Sequence, residues 1–131
     1  MGQRRLRVVT MRILVTGSRD WTDEGIVREA LRVTAQEGAT LVHGGARGLD
    51  TIAGRVAAQL GYAVEVHPAD WSKGKRAGIE RNAKMVALGA DYCFAFPLPQ
   101  SIGTWDCAKR AKAAGIPTFV YDRATHQWVQ L

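Results

Sequence analysis

The chain predicts an α/β fold in which a doubly wound parallel sheet lies between two layers of helices. Three observations carry this. Short apolar runs alternate with stretches whose apolar residues fall at helical spacing, the connections between them are short, and glycines punctuate the ends of the runs. Strands and helices alternating at such lengths imply parallel strands joined by right-handed crossovers.

The elements follow in order. "RILVT" (12–16) reads as the first strand. The helix after it starts near Asp23, carries Ile26, Val27, Ala30, Leu31 and Thr34 at helical spacing, and has Gly38 beyond its end. "TLVH" (40–43) is the second strand, followed by a helix with Leu49, Ile52, Ala53, Val56, Ala57 and Leu60 on one face and Gly61 as its stop. "YAVEV" (62–66) is the third strand, and "ADWSKGKRAG" a polar loop with Lys73, Lys75 and Arg76. Ile79, Ala83, Val86 and Ala87 then mark a helix before Gly89. "DYCFAF" (91–96), "TWDCAKRAKAAG" and "PTFVY" (117–121) give the fourth strand, fourth helix and fifth strand, and "QWVQL" a short edge strand.

Composition bounds the function. The 131 residues, 47% hydrophobic, make one domain with a single core. Met11 opens a compact strand, so residues 1–10 read as a basic leader before a domain at 11–131. Arg4, Arg5 and Arg7 supply three of the six net positive charges, which leaves a weak basic signal elsewhere. The absence of a long apolar stretch predicts a cytoplasmic protein with no membrane partner. Cys93 and Cys107 lack C-x-x-C spacing, and His43, His67 and His126 fall on separate elements, so neither a metal nor a cofactor is expected.

Open parallel sheets bind ligands beyond the carboxyl ends of their strands, and three loops there carry suitable residues. "TGSRDW" offers Gly17 for close approach, the Ser18 hydroxyl and the Arg19 fork. "HGGARGLD" supplies His43, Gly44, Gly45, Arg47, Gly48 and Asp50, with backbone N–H groups at a helix start where an anion is favoured. "SIGTWD" supplies Gly103, Thr104 as a helix cap, and Asp106 in the first turn. Arg81 and Asn82, expected near the start of the third helix, add a clamp for phosphate or carboxylate. Trp21, Trp71 and Trp105 fall in or beside rim loops and suit stacking on a purine; Trp128 reads as packing.

"GSRDW", "HGGARGLDTIA", "ERNAKM" and "GTWDCAKRAKAAGIP" together resemble the SLOG superfamily of modified Rossmann domains, most closely its small YspA-type, YpsA-related branch, over residues 11–121. Two groups of relatives imply different activities. The LONELY GUY phosphoribohydrolases are matched by "HGGARGL", by Glu80, Arg81 and Met85, and by Gly103 and Thr104; this resemblance implies N-glycosidic hydrolysis of nucleoside monophosphates, with Arg81 and Asp106 as catalytic residues. Their glutamate, however, aligns with Cys107, and Asp106 lies one residue earlier, a turn of about 100° on a helix. "PLPQSIG" also stands where those relatives carry P-G-G-x-G. The Smf-like DNA-processing proteins share the "GGARGLD" type of loop, which implies a single-stranded-DNA-binding accessory protein.

The expected function is binding of a nucleotide or nucleotide-derived ligand through the glycine-rich loops, as a sensing or binding domain. Hydrolase and DNA-binding protein stand as the alternatives. The resemblance further implies a homodimer.

Overall fold

The computed structural model describes residues 11–131; the leader and its Arg4, Arg5 and Arg7 lie outside the described residues. Six strands form one sheet in the order β3-β2-β1-β4-β5-β6: β1 Arg12–Gly17, β2 Thr40–His43, β3 Ala63–Val66, β4 Tyr92–Phe96, β5 Thr118–Asp122 and β6 Gln127–Gln130. The first five run parallel. β6 returns antiparallel beside β5 and places the expected "QWVQL" strand at the edge. Four helices cover the sheet: α1 Glu24–Thr34, α2 Leu49–Gln59, α3 Arg76–Ala87 and α4 Ile102–Ala113.

Alternation along β1 divides the core. Ile13 and Val15 point to one face and pack with Val27 and Leu31 of α1 and Ala53 and Val56 of α2. Leu14 points to the other and packs with Met85 and Val86 of α3 and Cys107 and Ala111 of α4. The chain winds outward through β2 and β3, then recrosses to the far side of β1 and enters β4. This reversal makes the carboxyl ends of β1 and β4 neighbours: Gly17 is in register with Phe96, and the Ser18 amide donates to the Phe96 carbonyl at 3.0 Å. A crevice opens at such a point because the two loops leave for opposite faces.

Three expectations are corrected. Trp21 is not at a pocket mouth: it is 1% exposed, packs edge-on against Phe96 and Tyr121, and donates from Nε1 to the Asp23 carbonyl at 2.8 Å. α3 begins at Arg76 rather than near Arg81, after a 3₁₀ turn at Trp71–Lys73 that ends on Gly74 at φ +82°. α4 begins at Ile102, so Thr104 lies within the helix and does not cap it. Asp106 accordingly falls in the second turn, where it pairs with Arg110 one turn on. Trp128 packs against Phe94, Phe96 and Tyr121.

Candidate functional site

The crevice between the β1–α1 and β4–α4 loops widens into a cleft of about 510 Å³. Its floor is the end of β1, Val15 to Gly17. Its walls are Ser18 to Asp20, Ala46, Arg47 and Asp50 on one side, and Lys75, Gly78, Ile79, Arg81, Asn82 and Met85 of the α3 segment on the other. Trp71 and Pro99 to Thr104 close it. Of the residues expected at a ligand, Gly17, Ser18, Arg19, Arg47, Asp50, Arg81, Asn82, Gly103 and Thr104 therefore meet in one cavity. His43, Gly44, Gly45, Gly48 and Asp106 do not line it.

The glycine-rich loop explains four of these departures. Its amides turn inward. Gly44 and Ala46 both donate to Asp50 Oδ2 at 3.2 Å, and Gly45 donates to His43 Nδ1 at 2.9 Å. The carboxylate of Asp50 thus occupies the place at these amides that an external anion would take. A Cβ on Gly44 would lie 2.3 Å from Arg81 Nη1. One on Gly48, whose φ is +74°, would lie 2.3 Å from the Arg19 carbonyl oxygen. The side chains absent from this loop make room for the protein's own arginine and backbone. His43 is buried under α2, its Nε2 close to Gly54; burial first, then Arg81 and His67, hold its pKa below the ordinary value.

Arg81 knits the wall together. Its Nη1 donates to the Gly44 carbonyl at 2.6 Å and the His67 carbonyl at 3.5 Å, and its Nε donates to Asn82 Oδ1 at 3.0 Å. Nη2 makes no hydrogen bond among the described residues, which leaves its two N–H groups for a ligand. Asn82 in turn donates to the Gly103 carbonyl at 3.2 Å and to Asp106 Oδ2 at 3.1 Å, fastening α3 to α4. Asp106 also accepts from Arg110 Nε at 3.0 Å, so its carboxylate joins two helices outside the cleft. Cys107, at the hydrolase relatives' glutamate position, is buried with its thiol pushed up to about 12 by that burial.

Four cations face the cleft, Arg19, Arg47, Lys75 and Arg81, against two carboxylates, Asp20 and Asp50. Arg47 and Asp20 pair at 3.4 Å on the open rim, and Arg19 lies 5.2 Å over the ring of Trp71, which is 53% exposed. α4 presents its amino end here with no side-chain cap, since the Ser101 hydroxyl accepts instead from the Leu98 amide. Ser18 and Thr104 add hydroxyls.

Sequence reasoning missed Val15, Thr16, Asp20, Ala46, Lys75, Gly78, Ile79, Met85 and Pro99 to Ile102. The run of basic residues before α3 was the available signal for Lys75, and the "ERNAKM" motif that for Met85; the others carry none beyond their place at the end of β1, in a rim loop or in the first turn of α3 or α4. Trp105 lies outside the cleft, beside Pro97 and Tyr121 in a separate apolar groove. Among the described residues no helix is long and apolar enough to cross a membrane.

Comparison with known proteins agrees with this fold. Residues 11–74 match the YspA, cpYpsA-related SLOG family. The Gene 61 protein of Mycobacterium phage D29 is 50% identical over 115 residues, covering 81% of this chain and 92% of that protein. Among solved structures, DNA processing protein A from Helicobacter pylori, described for its single-stranded DNA binding mode, shares the fold. It aligns with a TM-score of 0.64 at 21% identity over 86% of this chain, which spans 66% of that one. With half of the 115 aligned positions identical to a relative matched over 92% of its length, and the first three strands matched by the family, the chain belongs to the YspA, cpYpsA-related SLOG family.

Proposed function

We propose that the cleft at the switch point binds a nucleotide or nucleotide-derived ligand, its phosphate held between the Ser18–Arg19 loop and the amino end of α4. The observation that carries this reading is the convergence of four cations and an uncapped helix amino end on one crevice holding only two carboxylates. A volume of about 510 Å³ suits a nucleoside monophosphate. Asp106, engaged with Arg110 and Asn82 outside the cleft, is not at hand for the catalytic role that the hydrolase resemblance implies, which supports binding over N-glycosidic hydrolysis. Calorimetry with nucleoside monophosphates tests the proposal. Arg19→Ala is expected to weaken binding about tenfold, the loss of one charge-assisted contact. Unchanged affinity in that variant contradicts the phosphate assignment.

A second reading, single-stranded DNA in the same crevice, is favoured by exposed Trp71 beside Arg19, a platform on which a base can stack. The single-stranded DNA binding of DNA processing protein A, which shares the fold, points the same way. It requires oligonucleotides to bind more tightly than mononucleotides, with affinity falling steeply as salt rises. A homodimer belongs to the proposal as well; light scattering that gives only the 14.3 kDa monomer at micromolar concentration removes it.

A further inference from the structure

We infer that Asp50 reads a sugar hydroxyl of the bound nucleotide, so that the cleft takes ribonucleotides in preference to their deoxy counterparts; this rests on the nucleotide reading of the cleft. Asp50 stands in the first turn of α2, is 6% exposed, and lines the cleft. One of its oxygens is fully used: Oδ2 accepts both loop amides, Gly44 and Ala46, at 3.2 Å. The other, Oδ1, has no hydrogen bond among the described residues. Every sealed side-chain nitrogen or oxygen among them has a partner, so Oδ1 is not sealed. The space it reaches is the cleft.

Asp20, the other cleft carboxylate, sits on the open rim paired with Arg47. Asp50 is therefore a deep acceptor opposite a ring of donors meant for anions. A phosphate oxygen placed against it would be repelled, whereas an O–H group would complete its hydrogen bonding. A ligand that suits the whole cleft carries an anion for Arg19 and the α4 amino end and a hydroxyl donor for Asp50. A ribonucleotide has both on one sugar phosphate. The deoxy sugar keeps the anion and leaves the buried carboxylate oxygen unpaired, which is the costly outcome.

Calorimetry on the full chain with AMP, GMP, CMP and UMP, each against its 2′-deoxy and 3′-deoxy counterpart, tests the inference. One deoxy series is expected to bind at least tenfold more weakly than the ribonucleotides. In Asp50→Asn, which keeps an oxygen for the loop amides and turns a donor toward the cleft, that preference is expected to fall within twofold. Ribonucleotides and both deoxy series binding equally to the unmodified chain overturns the inference while leaving the cleft as a nucleotide site. A preference that survives Asp50→Asn also overturns it, as does an Asp50 dependence that follows the base and not the sugar. Binding of no nucleotide at all removes the cleft reading and the inference together.

Discussion

Replacing Asp50 with Asn removes a charge that folding must bury, and its signature is a pH dependence of stability. Burial is the largest influence on this carboxyl and pushes it from its ordinary 3.8 up to about 6; the Ala46 amide, Arg81, the Gly44 amide and Arg19 each pull it down less. The neighbouring Cys107 thiol is neutral at these pH values. The difference between 3.8 and about 6 converts, at ~1.4 kcal/mol per pH unit, to roughly 3 kcal/mol. The folded chain holds this proton more tightly than the unfolded chain does. Between about pH 4 and 6 it therefore binds more protons, and the stability this supplies at low pH is lost as pH rises through 6. Asn cannot titrate. Urea unfolding of both proteins at pH 4, 5, 6 and 7 should show the Asn variant gaining on the parent by up to ~3 kcal/mol across the series. A difference between the two proteins that stays flat with pH refutes the assignment of a buried, charged Asp50.

Two further predictions concern the frame around the cleft. Gly48→Ala should cost about 3 kcal/mol or more, because its Cβ would meet the Arg19 carbonyl oxygen at 2.3 Å, whereas Gly89→Ala, also at positive φ but in open space, should cost about 1 kcal/mol. Thermal unfolding ranks them, and equal losses would refute the packing argument. Glu65 accepts from both Arg12 Nη1 and Nη2, at 3.0 and 3.1 Å, and also contacts His67; the arginine foremost holds its carboxyl down at about 2. The pair is partly exposed and screened, so Glu65→Gln should cost about 1 kcal/mol at pH 7. A depressed carboxyl stabilises above its unfolded value of 4.5 and loses that contribution as pH falls toward 2, so the cost should shrink below pH 4. A cost that is constant from pH 7 to pH 3 would show that the charge is not what the contact uses.

The strands were legible because short apolar runs and turn residues at their ends are local facts: all five parallel strands begin and end within one residue of where the pattern puts them, and "TLVH" matches β2 at both ends. Helix starts were less so. "GTWD" reads as a cap because threonine is a strong one, but Gln100 at φ +68° turns the loop early, and α4 is under way by Ile102. The loop glycines were legible as places of close approach. What approaches was not, since Arg81 reaches Gly44 across 37 residues and the Arg19 carbonyl meets Gly48 from another loop. Trp21 was misjudged for the same reason: a rim position in sequence says nothing of Phe96 and Tyr121, which draw the ring inward. The cleft itself was largely legible, because strand order reversal brings the loops after β1 and β4 together whatever their sequences.

The central claim is that a nucleotide phosphate lies between the Ser18–Arg19 loop and the amino end of α4. Amide NMR shifts followed during titration of the labelled full chain with AMP measure this directly. The account predicts the largest, saturable changes at Ser18, Arg19, Gly103 and Thr104, reproduced by inorganic phosphate at higher concentration. Saturable changes confined instead to the far aromatic face, at Tyr92, Phe94 and Trp128, or no saturable change at millimolar nucleotide, would contradict it.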